Sequence, residues 1–188
     1  MKATVISLSG FMGCGKSTVG AILRDKYALP LVDLDTLIET STGSAIPEIF
    51  SSLGEGGFRE IEYNCLRDFL EDDAHPSPII LSLGGGTLTY APSRALINEC
   101  TLRIYFRASL DTLLSNLQGR ESGRPMLEGE GTLRDRISSL LERRMALYEG
   151  EGVHIIDTDG LSFDDIALKV MDIITEAGEG GILPNRIY

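Results

Sequence analysis

Gly10-Phe11-Met12-Gly13-Cys14-Gly15-Lys16-Ser17 is the stretch that decides the fold. It matches GxxxxGK followed by Ser or Thr. A short apolar run, Val5-Ile6-Ser7-Leu8, precedes it, and an amphipathic stretch from Ser17 to Tyr27 follows. Strand, glycine turn and helix in that order make a phosphate-binding loop. Backbone N–H groups wrap the phosphates, glycines allow positive φ and close approach, and the helix N-terminus faces the anion. The loop assigns nucleotide contacts to Gly13, Cys14, Gly15, Lys16, Ser17 and Thr18. Lys16 would bring a point positive charge to the β/γ-phosphates, and Ser17 Oγ can ligate Mg²⁺. The Cys14 side chain occupies a variable position and reads as a bystander.

Working outward, short apolar runs alternate with amphipathic stretches. Leu31-Val32, Pro78–Leu83, Leu102–Phe106 and Val153–Ile156 are the further strand candidates. Helical patterns cover Asp35–Thr40, Ile46–Leu53, Phe58–Leu70, Pro92–Glu99, Leu110–Leu117, Leu133–Tyr148 and Phe163–Ala177. Such alternation predicts an α/β fold with a mostly parallel sheet. Ligands in these folds sit at the carboxyl ends of the strands. Three strands end there in Gly10, Asp33 and Gly84.

Composition narrows the class. A chain of 188 residues suggests one domain, with no need of disulfide or metal staples. No apolar run approaches the roughly 20 residues that span a bilayer. The N-terminus enters a strand pattern at once, which leaves no room for a signal or transit segment. Seventeen basic and 28 acidic residues give a net charge of −11, which repels nucleic acid and anionic lipid. Anionic substrates therefore require cations gathered at the site. Three widely spaced cysteines read as reduced thiols, and two histidines offer neither a triad nor a zinc site. The expectation is a cytoplasmic monomer acting on small molecules.

A second set of residues addresses the acceptor. Asp33-Leu34-Asp35 closes the second strand, and period-2 alternation would send both carboxylates into one cleft. Asp33 would then stand near the metal and Asp35 at an acceptor hydroxyl; the competing role for Asp35 is an N-cap. Arg59 and Glu62, at i,i+3, read by spacing alone as a solvated helix pair; alternatively Glu62 holds Arg59 for a substrate carboxylate. Gly84-Gly85-Gly86 suggests backbone brought close to a ligand, or else a tight turn. Arg143 and Arg144 end a helix, where cations also suit the dipole. Gly119–Gly131 lacks apolar periodicity and reads as a mobile lid whose arginine could swing over the triphosphate. Gly178–Tyr188 reads as a tail.

The order of these motifs resembles the shikimate kinase family from about Lys2 to Ala177. The resemblance rests on GFMGCGKST (10–18), VDLDTLIE (32–39), EIFSSLGEGGFREIE (48–62), LSLGGGT (81–87), GRPML (123–127) and RMALY (144–148). It implies a P-loop NTPase fold, a five-stranded parallel sheet flanked by helices in nucleoside-monophosphate-kinase style. It also implies one kinase domain over residues 1–177, with a substrate-binding subdomain at about 33–62 and a lid at about 119–131. The implied reaction transfers the ATP γ-phosphoryl group to the 3-hydroxyl of shikimate, with Mg²⁺, in aromatic amino-acid biosynthesis. Lys16, Asp35 and Arg124 would be catalytic. Arg120 and Arg124 would join the nucleotide contacts, and Ser17 and Asp33 would serve the metal. Asp35, Arg59, Gly84, Gly85, Gly86 and Arg144 would hold shikimate. Two features depart from the family: Ala146 replaces the proline of RxPLY, and Asp157-Thr158-Asp159-Gly160 lacks an arginine for adenine.

Overall fold

The computed structural model describes residues 4–72, 74–118 and 131–179. Five strands, β1 (Val5–Gly10), β2 (Leu31–Asp33), β3 (Ile79–Ser82), β4 (Thr101–Arg107) and β5 (Val153–Asp157), form one sheet in the order β2-β3-β1-β4-β5. Every pairing is parallel. All six residues of β1 are buried, as a central strand covered on both faces requires. The expected fold class is thus observed, with the phosphate loop at the carboxyl end of the middle strand.

Alternation along the strands divides the core. Ile6 and Leu8 of β1, with Ile104 and Phe106 of β4, face helices α1 (Lys16–Tyr27), α5 (Leu110–Leu117), α6 (Leu133–Tyr148) and α7 (Phe163–Glu179). Val5, Leu81 and Tyr105 face α2 (Leu34–Thr42), α3 (Ile46–Glu71) and α4 (Ala91–Cys100). Burying one Leu or Ile of either layer is worth roughly 1.5–3 kcal/mol. These two layers fix the strand ends from which the functional loops depart. Among the described residues no helix is long and apolar enough to cross a membrane, and the three cysteines form no disulfide.

Of the helix bounds that differ from the sequence reading, two shape the site. The patterns Ile46–Leu53 and Phe58–Leu70 belong to one helical element broken at Gly54, whose φ of 69° and ψ of −177° are not helical. A straight helix would place residues 46 and 62 about 24 Å apart at 1.5 Å per residue, too far for one small-molecule cleft. The break lets Ile46 and Phe50 line the same cleft as Phe58, Arg59 and Glu62. At the other boundary, α2 begins directly after Asp33. The α7 helix runs through Glu179, and the rest of the tail, 180–188, lies outside the described residues.

Candidate active site

A cleft of about 750 Å³ opens at the carboxyl ends of β1, β2 and β3. Its phosphate side is the loop after β1. Gly15 caps α1 with φ 98°, a left-handed conformation that glycine adopts without penalty. A side chain there would also collide with the Phe163 ring. Lys16 is buried and donates from Nζ to the carbonyls of Gly10 at 2.7 Å and Phe11 at 3.3 Å. Ser17 and Thr18 are exposed along the cleft wall. The Cys14 thiol is buried, and its N–H donates to Phe11 O at 3.2 Å. A phosphate would compete for that N–H.

The DxD reading needs a correction. Only Asp33 lies on the strand; Asp35 sits in the first turn of α2. Asp33, not Asp35, is the N-cap, and its Oδ1 accepts from Thr36 N at 3.2 Å. The alternation argument failed because the helix begins one residue after the strand stops. Both carboxylates nevertheless line the cleft. Asp35 keeps solvent access at the cleft surface, yet protein walls it on most sides. That desolvation, then the negative charges of Asp33 and Glu62, push its carboxyl up to about 6, against the pull of Lys16 and Arg59. It is therefore ionised at neutral pH and basic enough to take a proton.

Arg59 and Glu62 are not a solvated pair. Their side chains are 9% and 1% exposed, and Arg59 Nη1 donates to Glu62 Oε2 at 2.7 Å. Glu55 reaches the same guanidinium at 3.4 Å. Thr87 donates to the other oxygen of Glu62 at 2.7 Å, so the carboxylate is held from two sides. Arg59 Nε is a buried donor with no acceptor among the described residues. Such a group is costly unless a ligand supplies the acceptor.

The three glycines bind this machinery together. A Cβ on Gly84 would come within 2.9 Å of Asp35 Oδ1, and one on Gly86 would overlap the Arg59 guanidinium. Gly85 O accepts from Arg144 Nη1 at 3.1 Å and from the Tyr148 hydroxyl at 2.5 Å. None of the three has a positive φ, so glycine is required here for space rather than for backbone freedom. Gly86→Ala should displace Arg59 and raise the KM for an anionic acceptor roughly tenfold, the value of one charged hydrogen bond. The KM for nucleotide should stay within twofold. Steady-state kinetics on the purified variant checks this, and equal shifts in both constants would refute it.

Arg144 is buried, lines the cleft and lies 6.0 Å from the Phe11 ring centroid. Its neighbour Arg143 is exposed and turns back to Ser139, so it stays a helix-end cation outside the cleft. Ala146 keeps a backbone N–H, and α6 runs unbroken to Tyr148. Lys16, Arg59 and Arg144 face Asp33, Asp35 and Glu62 in the cleft. Among the described residues, three positive against three negative groups leave the cleft neutral inside a chain of charge −11. The expected gathering of cations is real.

Arg120 and Arg124, with residues 119–130 of the proposed lid, lie outside the described residues. The sequence reading missed Thr87, Asn116 and Phe163. Asn116 Nδ2 donates to Gly13 O at 2.8 Å and braces the phosphate loop. Phe163 is 41% exposed and lines the cleft against Gly15. The loop before it is spent on structure, since Asp157 pairs with Arg107 and Asp159 accepts from Ser109 N. Thr87, adjoining the glycines, was the one with a local signal.

A phosphate loop alone would serve a hydrolytic switch equally well. The base-strength carboxylate and the buried guanidiniums across the cleft instead define a P-loop kinase with a small anionic acceptor. Comparison with known proteins narrows that class. The sequence model described as shikimate kinase matches residues 12–175, and the chain belongs to the shikimate kinase family. Shikimate kinase of Salinibacter ruber is 35% identical over 181 residues, covering 93% of this chain and 86% of its own. That of Thermus thermophilus is 36% identical over 171 residues, covering 90% and 89%. The solved structure of shikimate kinase from Acinetobacter baumannii in complex with shikimate superposes with a TM-score of 0.81 at 32% identity. It covers 93% of this chain and 94% of its own.

Proposed function

We propose that the chain transfers the γ-phosphoryl group of ATP to the 3-hydroxyl of shikimate, giving ADP and 3-phosphoshikimate on the route to aromatic amino acids. The observation that carries this reading is the convergence of Asp35, Arg59 and Arg144 on one glycine turn, in the cleft that the phosphate loop closes. Asp35 accepts the hydroxyl proton as the new O–P bond forms and the bond to the ADP oxygen breaks. Lys16 stabilises charge on the moving phosphoryl group. Arg59 and Arg144 grip the shikimate carboxylate. By the family resemblance we assign Arg124 of the 119–131 lid to the γ-phosphoryl group and Arg120 to adenine, both outside the described residues, and residues 33–62 to the acid-binding subdomain. Phe163 supplies an aromatic wall on the base side.

A divalent metal accompanies ATP in this chemistry, and the residues present suit Mg²⁺. Ser17 and Asp33 are hard oxygen donors on the cleft wall. Two protein ligands fit an ion that keeps several waters and takes its remaining oxygens from phosphate. Capping Thr36 engages one Asp33 oxygen and leaves the second for the metal's shell. When bound, Mg²⁺ neutralises phosphate charge. We further propose a working monomer in a cytoplasmic setting, the latter supported by dependence on ATP.

An ADP-release assay offering shikimate, gluconate and nucleoside monophosphates in turn tests the acceptor. Turnover confined to shikimate is expected; preference for another acceptor would overturn the reading. The carboxylate grip has its own test. A hydrogen bond to a charged group contributes about 1.5–3 kcal/mol, so Arg144→Ala should raise the KM for shikimate roughly 10- to 150-fold while that for ATP stays put. Arg144→Lys should recover only part, because an ammonium lacks the planar fork. The uncharged amide of shikimate should be a poor substrate for the wild type and lose little further in Arg144→Ala. Equal losses for acid and amide would mean that Arg144 holds the helix rather than the substrate.

A further inference from the structure

Arg103 is buried in the middle of β4 and lies outside the cleft. No carboxylate pairs with it among the described residues. Its partners are neutral: Nη1 donates to Asn98 Oδ1 at 2.5 Å, and Nη2 donates to Leu147 O at 3.3 Å and Tyr148 O at 3.2 Å. Burial pulls its pKa down, with Arg94 adding to the effect. A buried guanidinium without a counter-ion is expensive, so what it holds deserves an explanation in terms of the site.

What it holds is the carboxyl end of α6. The last carbonyls of a helix lack intrahelical donors and carry the negative end of the helix dipole. Met145 O is satisfied by Glu149 N, and Arg103 takes the next two oxygens after Ala146. Arg144 and Tyr148, at i and i+4 on this same turn, project together and both donate to Gly85 O. Tyr105, two residues along β4 from Arg103, stacks on Tyr148 with ring centroids 5.0 Å apart. The same strand thus fixes both the backbone and the aromatic ring of the turn that carries Arg144.

We propose that Arg103 is a positioning residue for shikimate binding, setting the final turn of α6 so that Arg144 meets the substrate carboxylate. The inference rests on the reading of Arg144 as a carboxylate contact. Arg103→Met keeps the apolar stem and removes the charge and every donor. Small displacements of a positioning group cost up to about a hundredfold. The KM for shikimate should therefore rise roughly 10- to 100-fold, with that for ATP within twofold. Hydrogen exchange at the amides of Leu147, Tyr148 and Glu149 should accelerate. In an Arg144→Ala background, Arg103→Met should add less than a twofold change, since residues acting through one another are not additive. Arg103→Lys, which keeps the charge at the helix end, should fall between the two and serves if the Met variant does not fold.

The outcomes separate cleanly. Lower thermal stability with an unchanged KM for shikimate in the Met and Lys variants would make Arg103 merely structural. Unchanged exchange at the end of α6, or a full multiplicative loss in the Arg144→Ala background, would likewise overturn the proposal. If Arg144→Ala itself leaves the KM for shikimate unchanged, the carboxylate grip fails first, and the positioning role falls with it. An effect of Arg144→Ala without one of Arg103→Met removes only the positioning role.

Discussion

Lys16→Met should turn over at least about a hundredfold more slowly than the wild-type chain, the cost of removing one preorganised donor from a transition-state charge. The fold should survive. In the protein described here, Lys16 Nζ satisfies the carbonyls of Gly10 and Phe11, so the substitution sacrifices two local hydrogen bonds, each worth about 1 kcal/mol net. It also removes a charge from a buried position, which offsets part of that loss. A small change in melting temperature with a large loss in kcat is the expected pattern. Near-wild-type turnover in the folded variant would remove the phosphate-loop assignment.

Asp35→Asn should lower kcat by about 10²–10⁴-fold, the range for a positioned general base, with little effect on ATP binding. The pH profile sharpens the test. A base with a pKa of about 6 is ionised and active above that value and protonated below it. The wild-type kcat/KM should therefore fall as pH drops through 6, by tenfold per unit once well below. The residual activity of Asp35→Asn should lack that limb. Asp33→Asn should behave differently. Asparagine caps a helix as well as aspartate, so α2 should persist while the Mg²⁺ requirement rises. Identical Mg²⁺ titrations for the two variants would reject this division of labour.

Much of this was legible in the sequence because the information was local. The phosphate loop needs one strand, one turn and one helix, and its residues are contiguous from Gly10 to Ser17. The α5 and α6 bounds follow from the helical periodicity of Leu110–Leu117 and Leu133–Tyr148. Order within the sheet was not legible, since β1 pairs with β3 and β4, strands more than 70 residues away. The Asp33/Asp35 assignment slipped because a strand of three residues gives too little alternation to show where it ends. The bland reading of Arg59 and Glu62 failed for another reason: i,i+3 spacing says that two groups meet, but burial by Thr87 and the glycine turn is tertiary. Arg103 carries little local signal: Asn98 is five residues away, but the two helix carbonyls it holds are 44 and 45 residues away.

The glycine turn has a consequence for how accurately the site is assembled. The proposed base and the two proposed carboxylate contacts come from three separate helices, α2, α3 and α6. Asp35 abuts Gly84, Arg144 bonds to Gly85 and Arg59 packs on Gly86. Consecutive Cα atoms are 3.80 Å apart across trans peptides, and that spacing hardly varies. Three separate helices are thereby gauged against one covalent ruler, and their positional errors do not accumulate from helix to helix. A chain built this way can absorb small shifts in helix packing while the distances that matter to the acceptor stay calibrated.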